Sequence, residues 1–322
     1  QQHAHFLSPT ELQVGSHRLT AKRIIIATGS IISRPPIPGL EDIGYLTSDE
    51  ALELTIMPDS MIVLGGGPVA MELAQFFSRI GVQVTLLQRS AHVLSGLDED
   101  LVRPVETRIR EEGMRVFTNT QIQNVTSTGS QKTVYFLHEG QPQQVTAPTI
   151  LQALGRRPNI DGLRLEAAYL TPEKGKIVVD EAMRTSQPHI YAVGDVNGLH
   201  EIVHIAIEQG EIAGWNATHP DASPRRYNDR LKTQVVFTDP QVASAGLTEK
   251  DCQRSRTPYL VASYPFNDHG KSLCLGETHG HVKVLCDPRS GKILGGHIVG
   301  PEASELIHEL IAVMYFEGTV RD

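Results

Sequence analysis

Met61-Ile62-Val63-Leu64-Gly65-Gly66-Gly67-Pro68-Val69-Ala70 sets the architecture. Four consecutive apolar residues read as a strand buried on both faces. The glycines that follow fit G-x-G-x-x-A. A helical apolar pattern then runs from Pro68 to Ile80, with Gly81 where a C-terminal cap belongs. Val82 to Leu87 reads as a second strand, which makes one βαβ unit of about 30 residues. In that setting the glycine pattern points to a dinucleotide. Gly65 permits the tight turn, Gly67 lets backbone approach a pyrophosphate, and Ala70 lets the helix lie close to the strand. Gly66, Pro68 and Val69 complete the loop. Pro68 stands in the first helical turn, where its missing N–H costs nothing. The helix N-terminus brings unpaired N–H groups and partial positive charge to the phosphates. The plain alternative is a structural glycine turn in an α/β domain.

The end of the second strand selects the cofactor. A site for NADH wants Asp or Glu there, accepting from the ribose 2′-hydroxyl. This chain has Gln88, then Arg89 and Ser90. An Arg at this point accommodates a 2′-phosphate, so NADPH is expected ahead of NADH. The competing reading of Arg89 is a solvated surface charge.

Around this unit the chain divides further. Glu11–Val14 and Arg18–Thr20 flank Gly15-Ser16, a hairpin signal. Arg23 to Ala27 reads as a strand buried on both faces. The Pro35-Pro36-Ile37-Pro38-Gly39 run is an extended connector, and Ser48-Asp49-Glu50 opens a short helix through an N-cap. Asp98 to Glu112 is a helix closed by Gly113, and strands follow around Val116, Val134 and Val145. Ile190 to Val193 is a strand that ends at Gly194-Asp195, and Glu201 to Ala213 is helical. After the polar stretch 220–226, strands are expected at 234–237, 259–264, 281–285 and 293–299, with a last helix over Ala303–Phe316. In that helix Leu306, Ile307, Leu310, Ile311 and Met314 form a packing stripe. The fold class is α/β: two Rossmann-like layers and a C-terminal α+β unit.

Composition excludes several functions. In 322 residues, 40% are hydrophobic and 20% charged, a globular balance. The net charge of −8 argues against a nucleic-acid surface. No apolar run approaches the ~18 residues that would span a bilayer. Cys252, Cys274 and Cys286 lack zinc-site spacing and suit a reducing cytoplasm as small buried hydrophobes. His308-Glu309 lacks the second His of a zinc helix, since position 312 is Ala, so no metal site is expected.

Four motifs occur in fixed order: Ala27-Thr28-Gly29-Ser30, the Gly65–Ala70 loop, Ala153-Leu154-Gly155-Arg156-Arg157-Pro158-Asn159 and Tyr191-Ala192-Val193-Gly194-Asp195. Together they resemble the flavin-dependent pyridine nucleotide–disulfide oxidoreductases. Phe237-Thr238-Asp239-Pro240-Gln241-Val242-Ala243-Ser244, Gly246-Leu247-Thr248-Glu249 and Gly295 to Ala303 resemble the dimerisation domain of the family's dihydrolipoamide dehydrogenase, mercuric reductase and glutathione reductase branch. The resemblance implies a partial FAD-binding domain at 1–57 and 151–225, an NAD(P)-binding domain at 58–150 and a dimerisation domain at 226–322. It implies FAD contacts at Ala4, Thr28, Gly29, Gly194, Asp195, Val203 and His204. Asp195 would accept from the ribityl hydroxyls; its local alternative is an N-cap, and that of His204 is packing. On the nicotinamide side it implies Glu72, Val125, Ala153, Gly155 and Arg156 beside Gln88, Arg89 and the loop. For Glu72 the alternative is a solvated helix face.

The implied activity passes hydride from NAD(P)H through FAD to a disulfide, dithiol or metal-ion substrate, in a cytoplasmic homodimer. Three family features are missing from these residues. They are the first G-x-G-x-x-G for FAD, the redox Cys-x4-Cys, and the His-Pro-x-x-x-Glu that follows the last helix. With no Met before Gln1 and an end soon after an apolar helical run, both termini read as cut. The chain alone is therefore expected to be inactive, with no catalytic residue of its own and with exposed apolar surface. The alternative is a non-catalytic nucleotide-binding or dimerisation protein related to the family.

Overall fold

The structure, a computed structural model, describes residues 2–322. The chain divides into two compact units. One joins the chain through Ser33 to Arg156–Asp229, and the other joins Arg34–Gly155 to Arg230–Asp322.

The second unit holds the expected βαβ. Ser60–Leu64 lies between Thr149–Gln152 and Gln83–Leu87, with Arg115–Phe117 outermost, and all four strands are parallel. Side chains alternate between two cores, as the period of two demands. Met61 and Val63 pack with Met71, Phe77 and Leu101 of the covering helices Pro68–Arg79 and Glu99–Glu111. Ile62 and Leu64 pack on the other face with Val125, Val134 and Phe136. These three belong to an antiparallel meander of Thr120–Thr128, Gln131–His138 and Gln141–Ala147. The first meander strand was not expected from sequence. It is mostly polar, and pairing with Gln131–His138 defines it.

The rest of this unit is a five-stranded antiparallel sheet ordered Thr233–Val236, Gln241–Gly246, Ile293–Gly300, His281–Cys286 and Leu260–Pro265. Gln241–Gly246 also went unread, because Ala, Ser and Gly give little strand propensity. It is buried between two partners. Helix Ala303–Tyr315 packs on this sheet through Ile307, Leu310, Ile311 and Met314, while Leu306 faces outward.

In the first unit, Ala4–Ser8, Glu11–Val14 and His17–Thr20 form a meander that turns at Gly15-Ser16. Ile24–Ile26 pairs in parallel with Ile190–Ala192, and Ser30–Ile32 pairs antiparallel with Arg156–Pro158. Several expectations need correction. Ile24 and Ile26 are buried but Ile25 is 42% exposed, so that strand is covered on one face only. The long helix is Val203–Thr218, starting later and running further than its apolar pattern suggested. The short helix Ser48–Leu52 is capped by Thr47, which shares a capping box with Glu50. Among the cysteines only Cys252 is buried; Cys274 is exposed on a surface helix, and Cys286 is half-buried.

Candidate functional site

The glycine loop is held at both ends. Gly65 donates its N–H to the Leu87 carbonyl at 2.9 Å, and the Gly66 carbonyl accepts from Leu94 at 2.7 Å. Gly65 has φ +114°, and a Cβ there would stand 2.3 Å from the Ala153 carbonyl oxygen. Only glycine fits that turn. Gly66 is crowded by the Gln88 side chain, whereas a Cβ on Gly67 would meet nothing within 4 Å. Gly67 is therefore the point where the loop lets an outside group reach the backbone. It caps the helix without a side-chain bond, Pro68 follows at the start, and Ala70 is buried against the sheet. The first helical bond runs from the Met71 N–H to the Gly67 carbonyl, so the N–H groups of Val69 and Ala70 precede the helical ladder.

Gly65, Gly66 and Gly67 open onto a cleft of about 440 Å³, also walled by Gln88, Arg89, Ala153 and Gly155. Gln88 accepts from the Arg89 backbone at 3.2 Å. The Arg89 side chain is exposed at the rim and makes no hydrogen bond or ion pair among the described residues. Two expected members lie elsewhere. The Val125 side chain is in the meander core, and its N–H donates to the Pro38 carbonyl. Glu72 accepts from the Phe237 N–H at 2.8 Å, which ties the loop helix to the five-stranded sheet of the same unit.

That junction carries most of the unit's buried charge. The Lys283 side chain is 1% exposed, and its ammonium lies 3.1 Å from Asp98, 2.8 Å from Asp100 and 2.6 Å from Glu249. The three carboxylates would form a cation cage, and the lysine already fills it. Burial pushes Lys283 down, but Asp100, Glu249 and Asp98 outweigh it and hold its pKa above the usual lysine range. Burial likewise raises Asp100, and His281 and Lys283 reverse this to hold it well below the carboxylate range. His297, cross-strand from both Lys283 and Ser244, is fully buried and accordingly held below the usual histidine range.

The first unit gathers a different set. Ser30 donates to Asp195 Oδ2 at 2.6 Å, and Arg156 Nε donates to Ser30 Oγ at 2.7 Å. Arg156, expected on the nicotinamide side, is thus bound to the Asp195 group. Thr28 and Gly29 are laced to Asn159. The Thr28 hydroxyl donates to its carbonyl at 2.6 Å, and its N–H donates to the Gly29 carbonyl at 2.8 Å. Gly29 has φ +68° with open space where a Cβ would be.

Asp195 sits in the 3-10 helix Gly194–Asn197, held from behind by fully buried Gln209. Gln209 Oε1 accepts from the Gly194 N–H and from Asn197 Nδ2, both at 2.8 Å. Beyond this turn Val203 is 78% exposed and His204 is also exposed. Glu201 is pushed above the usual carboxylate range by partial burial and then by the Asp195 charge, although solvent reaches part of its side chain. Ala4 lies on the hairpin, paired with Val14 and exposed. Sequence reading missed Gln209, Asn197 and Asn159 as supports of the two turns. Gln209 and Asn159 find their partners 12 to 131 residues away, and Asn197 reaches Ala192 five residues back as well as Leu199 two residues on.

Comparison with known proteins adds to this geometry. Residues 1–210 match the family model described as pyridine nucleotide-disulphide oxidoreductase, and residues 233–322 match that family's dimerisation domain. The chain is 33% identical over 320 residues to a mercuric reductase of Staphylococcus aureus, covering 99% of this chain and 58% of that protein. It is 34% identical over 312 residues to a dihydrolipoyl dehydrogenase of Mycobacterium bovis, covering 96% and 66%. The chain therefore spans roughly three fifths to two thirds of the length of these curated relatives. Among solved structures, the HOCl-induced flavoprotein disulfide reductase RclA of Escherichia coli superposes with a TM-score of 0.87 at 25% identity, over 99% of this chain and 73% of that one.

Proposed function

The chain belongs to the pyridine nucleotide-disulphide oxidoreductase family, and on that premise we propose that it forms the nucleotide-binding and dimerisation part of a flavin-dependent oxidoreductase. Bound together, NAD(P)H and FAD would supply hydride chemistry toward a disulfide, dithiol or metal-ion substrate, and this chain's residues would hold the two groups. The observation that carries the reading is Gly67, where a helix N-terminus opens into the cleft with no side chain in the way. Gly65 to Ala70 would cradle the pyrophosphate, Ala153 and Gly155 would line the nicotinamide side, and Arg89 would meet a 2′-phosphate, favouring NADPH. Glu72 and Val125 we assign to holding the fold, on the Phe237 amide and in the meander core.

The FAD side rests on Asp195. Its carboxylate is oriented by Ser30, itself held by Arg156, and it has acceptor capacity left for sugar hydroxyls. Gly29 leaves backbone open to an approaching group, and Val203 and His204 offer an exposed flank. We propose the division into 1–57 with 151–225, 58–150 and 226–322 as the functional domains, with 34–57 and 151–155 packed in the glycine-loop unit, where Leu40, Ala51 and Leu151 are buried. We place the protein in the cytoplasm as a homodimer; its three cysteines are unpaired. No described helix is long and apolar enough to cross a membrane.

The test is visible absorption of the purified chain, incubated with FAD and then titrated with NADPH. A flavin band that NADPH bleaches supports the proposal. A well-folded chain that takes up neither cofactor overturns it.

A further inference from the structure

The chain from Gln88 to Asp98 runs without helix or strand between Gln83–Leu87 and helix Glu99–Glu111, and it lies against the glycine loop. Within this strap Leu94 is 3% exposed and has φ +46°. Leucine rarely adopts that left-handed conformation, which crowds Cβ against the following carbonyl. Such strain persists only where the surroundings over-determine it. Several contacts do so here. The Leu94 N–H donates to the Gly66 carbonyl at 2.7 Å, and the Leu94 carbonyl accepts from the Leu97 N–H at 2.9 Å. The N–H of buried Val93 donates to Glu106 Oε1 at 2.9 Å. Lys250 Nζ donates to the Ser95 carbonyl at 3.2 Å and to the Leu97 carbonyl. The Leu94–Gly66 bond carries this order into the nucleotide loop. A trans peptide is planar, with its C=O and N–H on opposite sides. Holding the Gly66 carbonyl toward Leu94 therefore turns the Gly67 N–H away from it, and that N–H makes no hydrogen bond among the described residues. Glu106 itself is half-buried and does not line the cleft. Its hydrogen bond among the described residues goes to the strap.

We infer that Glu106 is a positioning residue for the nucleotide pyrophosphate. It fixes Val93, so that Leu94 stays in its strained conformation and keeps the Gly66 carbonyl turned back. The Gly67 N–H is thereby set for a phosphate oxygen before any ligand arrives. Lys250 braces the far end of the same strap. This rests on the dinucleotide reading above. A loop ordered in advance loses less freedom on binding, so releasing the strap should weaken the pyrophosphate contact in particular.

The test is calorimetric titration of the full chain, Glu106→Leu and Glu106→Gln with two probes. One is NADPH. The other is adenosine 2′-monophosphate, which keeps the adenine and the 2′-phosphate but has no pyrophosphate. Glu106→Leu should bind NADPH about tenfold more weakly, the scale of one hydrogen bond to a charged group, and bind adenosine 2′-monophosphate as the parent does. Glu106→Gln keeps an acceptor oxygen and should restore the affinity for NADPH. Equal weakening toward both probes, or toward neither, overturns the positioning role, and so does a Gln variant that behaves like the Leu one. A parent that binds neither probe overturns the dinucleotide reading and the inference with it. Hydrogen exchange on the parent needs no variant: the Val93 and Leu94 amides should be protected before nucleotide is added. Amides that become protected only with NADPH would show a clasp made by the ligand, and overturn the inference alone.

Discussion

The glycine-loop unit and the Asp195 unit are built by opposite means. The loop stands on a four-stranded parallel sheet whose central strand is buried on both faces, and the unit is crossed by a buried ion cage. The Asp195 turn stands on two-stranded pairs and is positioned by a few hydrogen bonds: Ser30 donates to the Asp195 carboxylate, and Gln209 Oε1 accepts from the Gly194 N–H and the Asn197 amide. Ile25 and Val203 lie open in the same unit. One site is therefore held by packing and charge, the other by a few polar contacts. The contrast predicts which changes each unit tolerates.

The largest effect should come from Lys283→Met. It leaves Asp98, Asp100 and Glu249 facing one another without their cation, and unpairing a buried charge costs about 3–5 kcal/mol. Chemical denaturation with exchange reporters in both units should show the glycine-loop unit destabilised and the Asp195 turn unchanged. Equal loss in both units would erase the contrast.

Next in size is Gln209→Leu. It strips the acceptor from the Gly194 N–H and the Asn197 amide, both buried, and should cost about 2–3 kcal/mol. Gln209→Glu keeps that acceptor and should restore protection of the Gly194 amide. If Leu and Glu behave alike in hydrogen exchange, Gln209 does not hold the Asp195 turn.

These supports also show where the sequence could be read and where it could not. The βαβ unit was legible because its signals are local. A glycine pattern, a helical period and two apolar runs lie within about 30 residues. Gly15-Ser16 and the caps at Gly81 and Gly113 were legible for the same reason. Strand Thr120–Thr128 was hidden by its polar composition, and Gln241–Gly246 by its small residues. Arg156 was read from its place in a motif, yet its partner, Ser30, is 126 residues away. Glu72 has its partner 165 residues along the chain, and Lys283 finds Asp98 across 185. Such contacts exist only once the topology has brought distant segments together.

The smallest predicted difference is in pH response, and it runs in opposite directions. Folded His297 is held neutral by burial, while the unfolded chain takes up a proton below about 6.5, so the unfolded state binds more protons there. The glycine-loop unit should lose stability as pH falls through that value, at up to about 1.4 kcal/mol per pH unit. Asp100, and Glu112, whose burial is outweighed by Arg79 at 2.6 Å, act lower: their contribution is full above the unfolded carboxylate range and disappears only as pH falls through their depressed values. Glu201 in the other unit is raised, so its folded form binds the extra proton. That unit should gain stability as pH falls toward about 4.3, by a modest amount because solvent reaches the group. Denaturation should show stability falling below about pH 6.5 for reporters in the glycine-loop unit and rising toward about pH 4.3 for reporters in the Asp195 unit. Parallel slopes, or a His297→Asn variant with the parent's slope, would contradict the assignment.

The central claim is that the Gly65–Ala70 loop receives a dinucleotide phosphate at Gly67. The most direct measurement is calorimetric titration of the parent and Gly67→Ala with NADPH. The account predicts a one-site isotherm for the parent. It predicts binding weakened at least about tenfold in the variant, with thermal stability kept within about 0.5 kcal/mol because the added Cβ meets nothing in the protein. A parent that does not bind NADPH, or a Gly67→Ala variant that binds it equally well, would contradict the account.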